Sequence, residues 1–250
     1  MKVSIMSDLH LEFGPFHPGE GEVLVLAGDV CVASDYWDYD PFFRDCVRNY
    51  DKVFYICGNH EHYQGDITET HHILRESLPE GVTLLENESE QYNGVTFAGA
   101  TLWTDMNRFD HMTMDSAALC MNDYHAIANG DNPLRAADTV SHNLNSRRFI
   151  EDTASLSNTP VFVITHHAPT YQSVQGRYIA SKHFYAQDMT ELVETHPNIK
   201  YWAHGHIHHN NDYMVGQCRV ISNPRGYHGY EENKSFRRNF TVEIPDWKYE

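Results

Sequence analysis

Five short polar runs punctuate the chain: Asp8-Leu9-His10, Gly28-Asp29, Gly58-Asn59-His60-Glu61, His166-His167 and Gly205-His206-Ile207-His208. Carboxylates, imidazoles and carboxamides are the side chains that hold divalent metal ions through oxygen and nitrogen. The chain has 18 histidines in 250 residues, so a His-x-His pair alone means nothing; about one arises by chance. Gly-Asn-His-Glu is expected roughly 0.005 times at this composition, so the ordered set is no accident. Each run closes a short apolar segment of strand character, and ligands of α/β sheets gather at the C-terminal ends of strands. Gly28 and Gly58 are read as backbone devices that let the chain turn sharply there.

The elements that must carry these runs are legible as a strand–helix alternation. Lys2–Met6, Val23–Ala27 and Val53–Cys57 are β-branched or aromatic runs, and Pro41–Tyr50 between the last two has helical spacing. A helix over Ile67–Leu78 is expected to stop at Pro79, and strands Val82–Leu85 and Val95–Ala98 follow, with a turn at Asn93-Gly94. Residues 103–135 lack periodicity and read as a long excursion or cap. Ala136–Leu156 is the clearest helix, then strand Val161–Thr165, a helix near Gln187–Thr195, and strands Lys200–Ala203, Tyr213–Gly216, Arg219–Ser222 and Phe240–Ile244. The expected architecture is α/β, one domain over residues 1–250, with a second sheet packed on the first.

The five runs, from position 8 to 208, resemble the signature of the calcineurin-like metallophosphoesterases: Asp-x-His, Gly-Asp, Gly-Asn-His-Asp/Glu, His, Gly-His-x-His. That resemblance implies two mixed sheets sandwiched between helices and a dinuclear centre. One metal would be held by Asp8, His10, Asp29 and His208, the other by Asp29, Asn59, His166 and His206, with Asp29 bridging. His60 would be the unligated histidine beside the phosphate. Either His166 or His167 can fill the fourth block; His166, first off the strand, is preferred. Two divalent ions offset by two carboxylates make a cationic well that activates water and clamps phosphoryl oxygens, with metal-bound hydroxide as nucleophile. His60 then suits the proton donor to the leaving group. Mixed nitrogen and oxygen ligation favours Mn, Fe, Zn or Ni over Mg or Ca, and Mn is the ion adopted.

Substrate is constrained more loosely. The protein-phosphatase branch of that family continues Gly-Asp-x-x-Asp-Arg-Gly, whereas this chain reads Gly28-Asp29-Val30-Cys31-Val32-Ala33-Ser34. A phosphodiesterase acting on small or nucleotide substrates is the reading adopted. A phosphomonoesterase, a single-strand nuclease and a protein-binding scaffold with a retained metal site are the alternatives. Lys plus Arg number 18 against 35 Asp plus Glu, a net charge of −17, which repels long nucleic acid and anionic lipid. Arg225 and Arg108 are candidate substrate contacts, with Tyr171, Arg177 and Tyr227 in loops that could face the same edge. Glu61 is read as orienting a ligand or His60, with a surface salt bridge as the competing role. His62, His71, His142, His204 and His209 are given no part in the site.

Five cysteines without a Cys-x-x-Cys read as reduced, mostly core thiols of a cytoplasmic protein. The lack of a charged-then-apolar leader before Lys2–Met6 carries the same expectation, and no apolar run approaches the roughly 20 residues of a membrane span. No P-loop occurs, because no lysine follows a glycine. The Met-rich stretch Met106–Met121 is read as a satellite apolar cluster over the core.

Overall fold

Alternation along the strands decides the layers. In a pleated strand successive side chains point to opposite faces, and a strand covered on both sides reads as a continuous apolar run. The computed structural model describes residues 1–246, except for the side chain of Arg177, which lies outside the described set. Its first sheet has the order β11-β1-β2-β3-β4, built from β1 (Lys2–Met6), β2 (Gly21–Ala27), β3 (Tyr50–Ile56), β4 (Val82–Leu84) and β11 (Thr241–Glu243). Strands β1 to β4 are parallel and β11 pairs antiparallel with β1.

The second sheet has the order β9-β10-β8-β7-β6-β5. It comprises β5 (Glu88–Tyr92), β6 (Val95–Ala100), β7 (Val161–Thr165), β8 (Ile199–His204), β9 (Asn211–Val215) and β10 (Cys218–Ser222). Its four inner strands are parallel and its two edges antiparallel. Val3, Ile5, Val23, Val25, Phe54 and Ile56 of the first sheet meet Phe97, Phe162, Ile164, Ala203 and Ile221 of the second in one buried layer. The alternate residues Met6, Leu24, Leu26, Val53 and Tyr55 face α1 (Tyr36–Asn49) and α2 (Thr70–Ser77). On the far side Val161, Val163, Trp202 and Val220 face α4 (Ala136–Leu156) and α5 (Thr190–Thr195). This is an α/β fold of two mixed sheets flanked by helices, as the sequence led us to expect.

The differences have local causes. Helix α1 begins at Tyr36, five residues before the expected start, with Pro41 inside it. Proline there removes only the hydrogen bond to the carbonyl of Trp37, a residue 70% exposed and open to water. Strand β5, Glu-Ser-Glu-Gln-Tyr, escaped notice because an edge strand pairing with β6 alone needs no apolar alternation. Helix α2 starts three residues late because the Asp66 carboxylate and carbonyl bind Thr68 and Thr70 in a preceding turn.

Residues 103–135 are an excursion of short helices around α3 (His111–Cys120), which Asp110 caps through Thr113 N–H. Trp103, Met106, Ala117, Tyr124, Ile127 and Leu134 form a satellite cluster with Ile67, Val140 and Phe184. Of the five cysteines, Cys31, Cys46, Cys57 and Cys218 are buried and Cys120 is exposed, and none is bridged. Among the described residues no helix is long and apolar enough to cross a membrane.

Candidate metal centre

The C-terminal ends of β1, β2, β3, β7 and β8 converge on one edge, and each releases its polar run there. The turns are tight. Asp8, His10, Asp29 and His206 hold φ of 51°, 45°, 54° and 66°, a left-handed region that costs a non-glycine residue about 1 kcal/mol or more. Gly28 has φ +83°, and a Cβ on it would lie 2.5 Å from His166 Nδ1. A Cβ on Gly58 would lie 2.1 Å from Asp29 Oδ1. Both glycines are therefore where the loops pass closest to the site.

Two triads result. Asp8, His10 and His208 form one: His208 Nε2 lies 3.4 Å from Asp8 Oδ1 and 3.3 Å from His10 Nε2. Asp29, His166 and His206 form the other, with His166 Nε2 3.2 Å from Asp29 Oδ2. Asp29 Oδ2 is also 3.7 Å from His10 Nε2, so one carboxylate oxygen lies within reach of both triads. Asn59 Oδ1 is 3.0 Å from His166 Nε2. The Ala27 carbonyl accepts from His166 Nδ1 at 3.0 Å, which turns Nε2 toward Asp29. His167, the competing histidine, turns Nδ1 toward the Thr101 carbonyl and packs its ring on Trp103 and His206, outside both triads.

The two carboxylates are held ionised by imidazole partners; burial opposes charge on His166 but Asp29 raises it to about 10, so a metal ion would displace that proton. Burial alone would raise the Asp29 carboxyl, yet the charges of His166, His60 and His10 and the His166 hydrogen bond hold it well below the carboxylate range. Asp8 is lowered in the same way, burial being outweighed by His208. Burial, with His167 and His166 nearby, pushes His206 well down, so its ring is neutral. Two buried atoms in the cluster have no hydrogen-bond partner, Asp8 Oδ2 and His206 Nε2. Orphaned buried acceptors cost about 1–3 kcal/mol each. A carboxylate oxygen and an imidazole nitrogen left bare among other ligand atoms are the donor set a borderline divalent ion requires, and the residues fit such ions.

His60 stands beside the triads. Its backbone N–H donates to Asp29 Oδ1 at 2.9 Å. Its Nδ1 lies 2.9 Å from Glu12 Oε1, the same oxygen that His10 Nδ1 approaches at 3.1 Å. Burial opposes its charge, but Asp29 and Glu12 raise it to about 9. Its Nε2 faces Tyr227 OH at 3.3 Å. These groups border a cavity of about 400 Å3, whose walls include Tyr63, Cys120, Met121, Asn122, Tyr178, Tyr185, Tyr227 and Glu231.

Glu61 has no surface role. It is 1% exposed, and its carboxylate accepts from the backbone N–H of Asp29, Val30 and Gly58 and from Tyr55 OH, at 2.6–3.0 Å. It thereby ties the loop after β2 to the loop after β3.

Arg225 is placed otherwise than expected. Its guanidinium donates to the carbonyls of Leu9, Gly14 and Pro15 and lies over the Phe16 ring, away from the cavity. Backbone carbonyls take three of its five N–H donors and hold it against the Leu9–Pro15 loop. Arg108 is exposed on a left-handed turn and is also absent from the cavity wall. Tyr171 bonds His183 instead, whereas Tyr227 does reach the site. Glu12 and Asp123 were missed. Glu12 sits two residues past His10 and could have been suspected from that closeness; Asp123 lies in the aperiodic excursion and carried no signal.

The family model for calcineurin-like phosphoesterase matches residues 1–210. An uncharacterized protein of Acanthamoeba polyphaga mimivirus, L509, is 26% identical over 91% of both chains. The phosphopantetheinyl hydrolase of Mycobacterium tuberculosis superposes with a TM-score of 0.69 at 17% identity, covering 90% of this chain and 89% of that one. TT1561 of Thermus thermophilus gives a TM-score of 0.54 at 14% identity, covering 90% and 88%. At such identities these two likenesses speak for the fold alone.

Proposed function

The chain belongs to the calcineurin-like phosphoesterases and is a metal-dependent phosphoesterase, and we propose that it is a phosphodiesterase of small or nucleotide substrates. Asp8, His10, Asp29 and His208 would hold one ion, and Asp29, Asn59, His166 and His206 the other. The observation that carries the metal assignment is the pair of triads sharing reach of Asp29 Oδ2, with Asp8 Oδ2 and His206 Nε2 buried without a hydrogen-bond partner. Two divalent ions, Mn by preference, supply there a water of lowered pKa and positive charge for the phosphoryl oxygens.

The protein's own groups do the rest. Glu12 holds His60 through Nδ1, so Nε2 is the atom presented to the cavity, and it protonates the departing oxygen. Tyr227 OH, beside it, steers the same oxygen. Selectivity for a diester is supported by the cavity's charge. Its walls carry Glu231 and tyrosines, and among the described lining residues there is no Lys or Arg. A monoester dianion brings one more negative charge than a diester monoanion and meets no added cation here. The same walls accept a neutral leaving arm. The unbridged thiols support a cytoplasmic location, and the net charge of −17 speaks against long nucleic acid as the substrate.

The test is kcat/KM of metal-stripped, Mn-reconstituted protein for bis-p-nitrophenyl phosphate, p-nitrophenyl phosphate, cyclic nucleotides, short single strands and a phosphopantetheinyl ester. Preferential diester cleavage that falls with His60→Ala supports the proposal. Faster monoester cleavage makes the protein a phosphatase, and bound metal without turnover of any of these esters makes it a scaffold.

A further inference from the structure

Asn59 poses a problem of orientation. A carboxamide has one acceptor end and one donor end, and only the oxygen can face a cation. Nothing in its covalent structure chooses between the two. In the structure Asn59 Nδ2 donates to Asp123 Oδ1 at 2.8 Å, which leaves Oδ1 pointing to His166 Nε2. Asp123 is 2% exposed and belongs to the excursion of residues 103–135, far along the chain from the five polar runs. The same oxygen accepts from Tyr63 OH at 2.8 Å, and the Tyr63 ring stacks on His60 at 4.2 Å.

The backbone holds Asp123 in place independently of its side chain. Gln64 N–H donates to the Ala126 carbonyl, Ile67 N–H to the Ala128 carbonyl and Ala128 N–H to the Gly65 carbonyl, each at 2.9 Å. Tyr124 and Ile127 pack in the satellite cluster with Ile67 and Trp103. The excursion is thus docked on the segment just after Asn59, and Asp123 is the buried carboxylate it delivers to the Asn59 amide.

We propose that Asp123 is a positioning residue: it fixes the Asn59 carboxamide with its oxygen toward the metal centre, and so sets the affinity of one of the two metal sites. This rests on Asn59 being a ligand, as proposed above. It gives residues 103–135 a role in assembling the centre besides walling the cavity. Hydrogen-bond partners of metal ligands are worth about 10–100-fold in affinity.

The experiment is Mn2+ binding to metal-stripped protein, read from the free-ion paramagnetic signal and from titration calorimetry. In the unmodified chain two ions bind. Asp123→Ala weakens one of them by about 10–100-fold and leaves the other within about three-fold. Asp123→Asn, which keeps an acceptor oxygen, retains most of the affinity. Because Asp123 acts through Asn59, adding Asp123→Ala to Asn59→Ala costs nothing further. Should Asp123→Ala not fold, Asp123→Leu, which fills the volume without an acceptor, carries the same expectation. Two unchanged ions in Asp123→Ala or Asp123→Leu, or an equal loss in the Asn59→Ala background, overturn the proposal. Failure of the unmodified chain to bind two ions overturns instead the metal assignment on which it rests.

Discussion

Gly58 offers a sharp probe of the centre, because a single methyl there strikes one atom. Its backbone is in a region open to alanine, so strain in φ is not at issue. A Cβ would stand 2.1 Å from Asp29 Oδ1 and 2.7 Å from both Asp29 N and His166 Cε1. Ordinary contact begins near 3.4 Å, so the carboxylate must retreat by about 1.3 Å. That oxygen also receives the His60 N–H, and its partner oxygen faces His10 and His166. Metal sites tolerate only about 0.2 Å in ligand distance, and a shift of about 1 Å in a reacting group costs about 100-fold in rate. Overpacking adds about 1–3 kcal/mol of instability, a fall in Tm of about 3–10 °C for a chain of this size. Gly58→Ala is therefore expected to lose about 100-fold in Mn-dependent diester turnover and to bind metal more weakly, while still folding. Gly65→Ala, whose nearest neighbour would be the His62 carbonyl at 3.4 Å, is the control and is expected to behave as the unmodified chain. Turnover and Mn binding of Gly58→Ala within about three-fold of the unmodified protein would refute the reasoning.

Other expectations follow from single groups. Arg225→Ala removes three hydrogen bonds to the carbonyls of Leu9, Gly14 and Pro15; it should cost about 2–3 kcal/mol in urea unfolding and leave KM within about two-fold, whereas a substrate role would raise KM at unchanged stability. Glu86, beside Thr101 and His71, is pushed up by burial to about 7. Its folded pKa exceeds its unfolded one, so its contribution is complete below about pH 4.5 and is lost as pH rises through about 7. Glu86→Gln does not titrate and should gain on the unmodified chain by up to about 3 kcal/mol between pH 5 and 8; a pH-independent difference in unfolding free energy would contradict this. Mn2+ at about 100 times its Kd should add about 2.7 kcal/mol, raising Tm by about 5–10 °C. That rise should vanish in Asp29→Asn; a metal-dependent rise that survives the substitution would place the ion elsewhere.

Most of the scaffold was legible because buried parallel strands leave so clear a trace. Lys2–Met6, Ala136–Leu156 and Val161–Thr165 were read to the residue, since each is bounded by turn formers or caps and has one dominant period. Glu88–Tyr92 was invisible because an exposed edge strand is selected for polarity, not alternation. Within the site, residue types at strand ends identified the clustered side chains, because every one of them follows a strand in sequence. What joins them was hidden. Glu61 was read as an orienting residue from its place in its run, but its partners lie 31 residues away, and Glu12 and Asp123 act through contacts across 48 and 64 residues, for which Asp123 carries no local mark at all. Arg225 is a related case: a loop arginine near a site has the composition of a substrate contact, and only the geometry reveals that three carbonyls bond its guanidinium.

The most direct test of the account is anomalous diffraction from Mn-loaded crystals. Two peaks are expected about 3.5–4 Å apart, one against Asp8, His10 and His208 and the other against Asn59, His166 and His206, with the Asp29 carboxylate between them. A single peak, or a peak seated on Glu12 and His60 in place of either, would contradict the dinuclear centre from which the proposed chemistry proceeds.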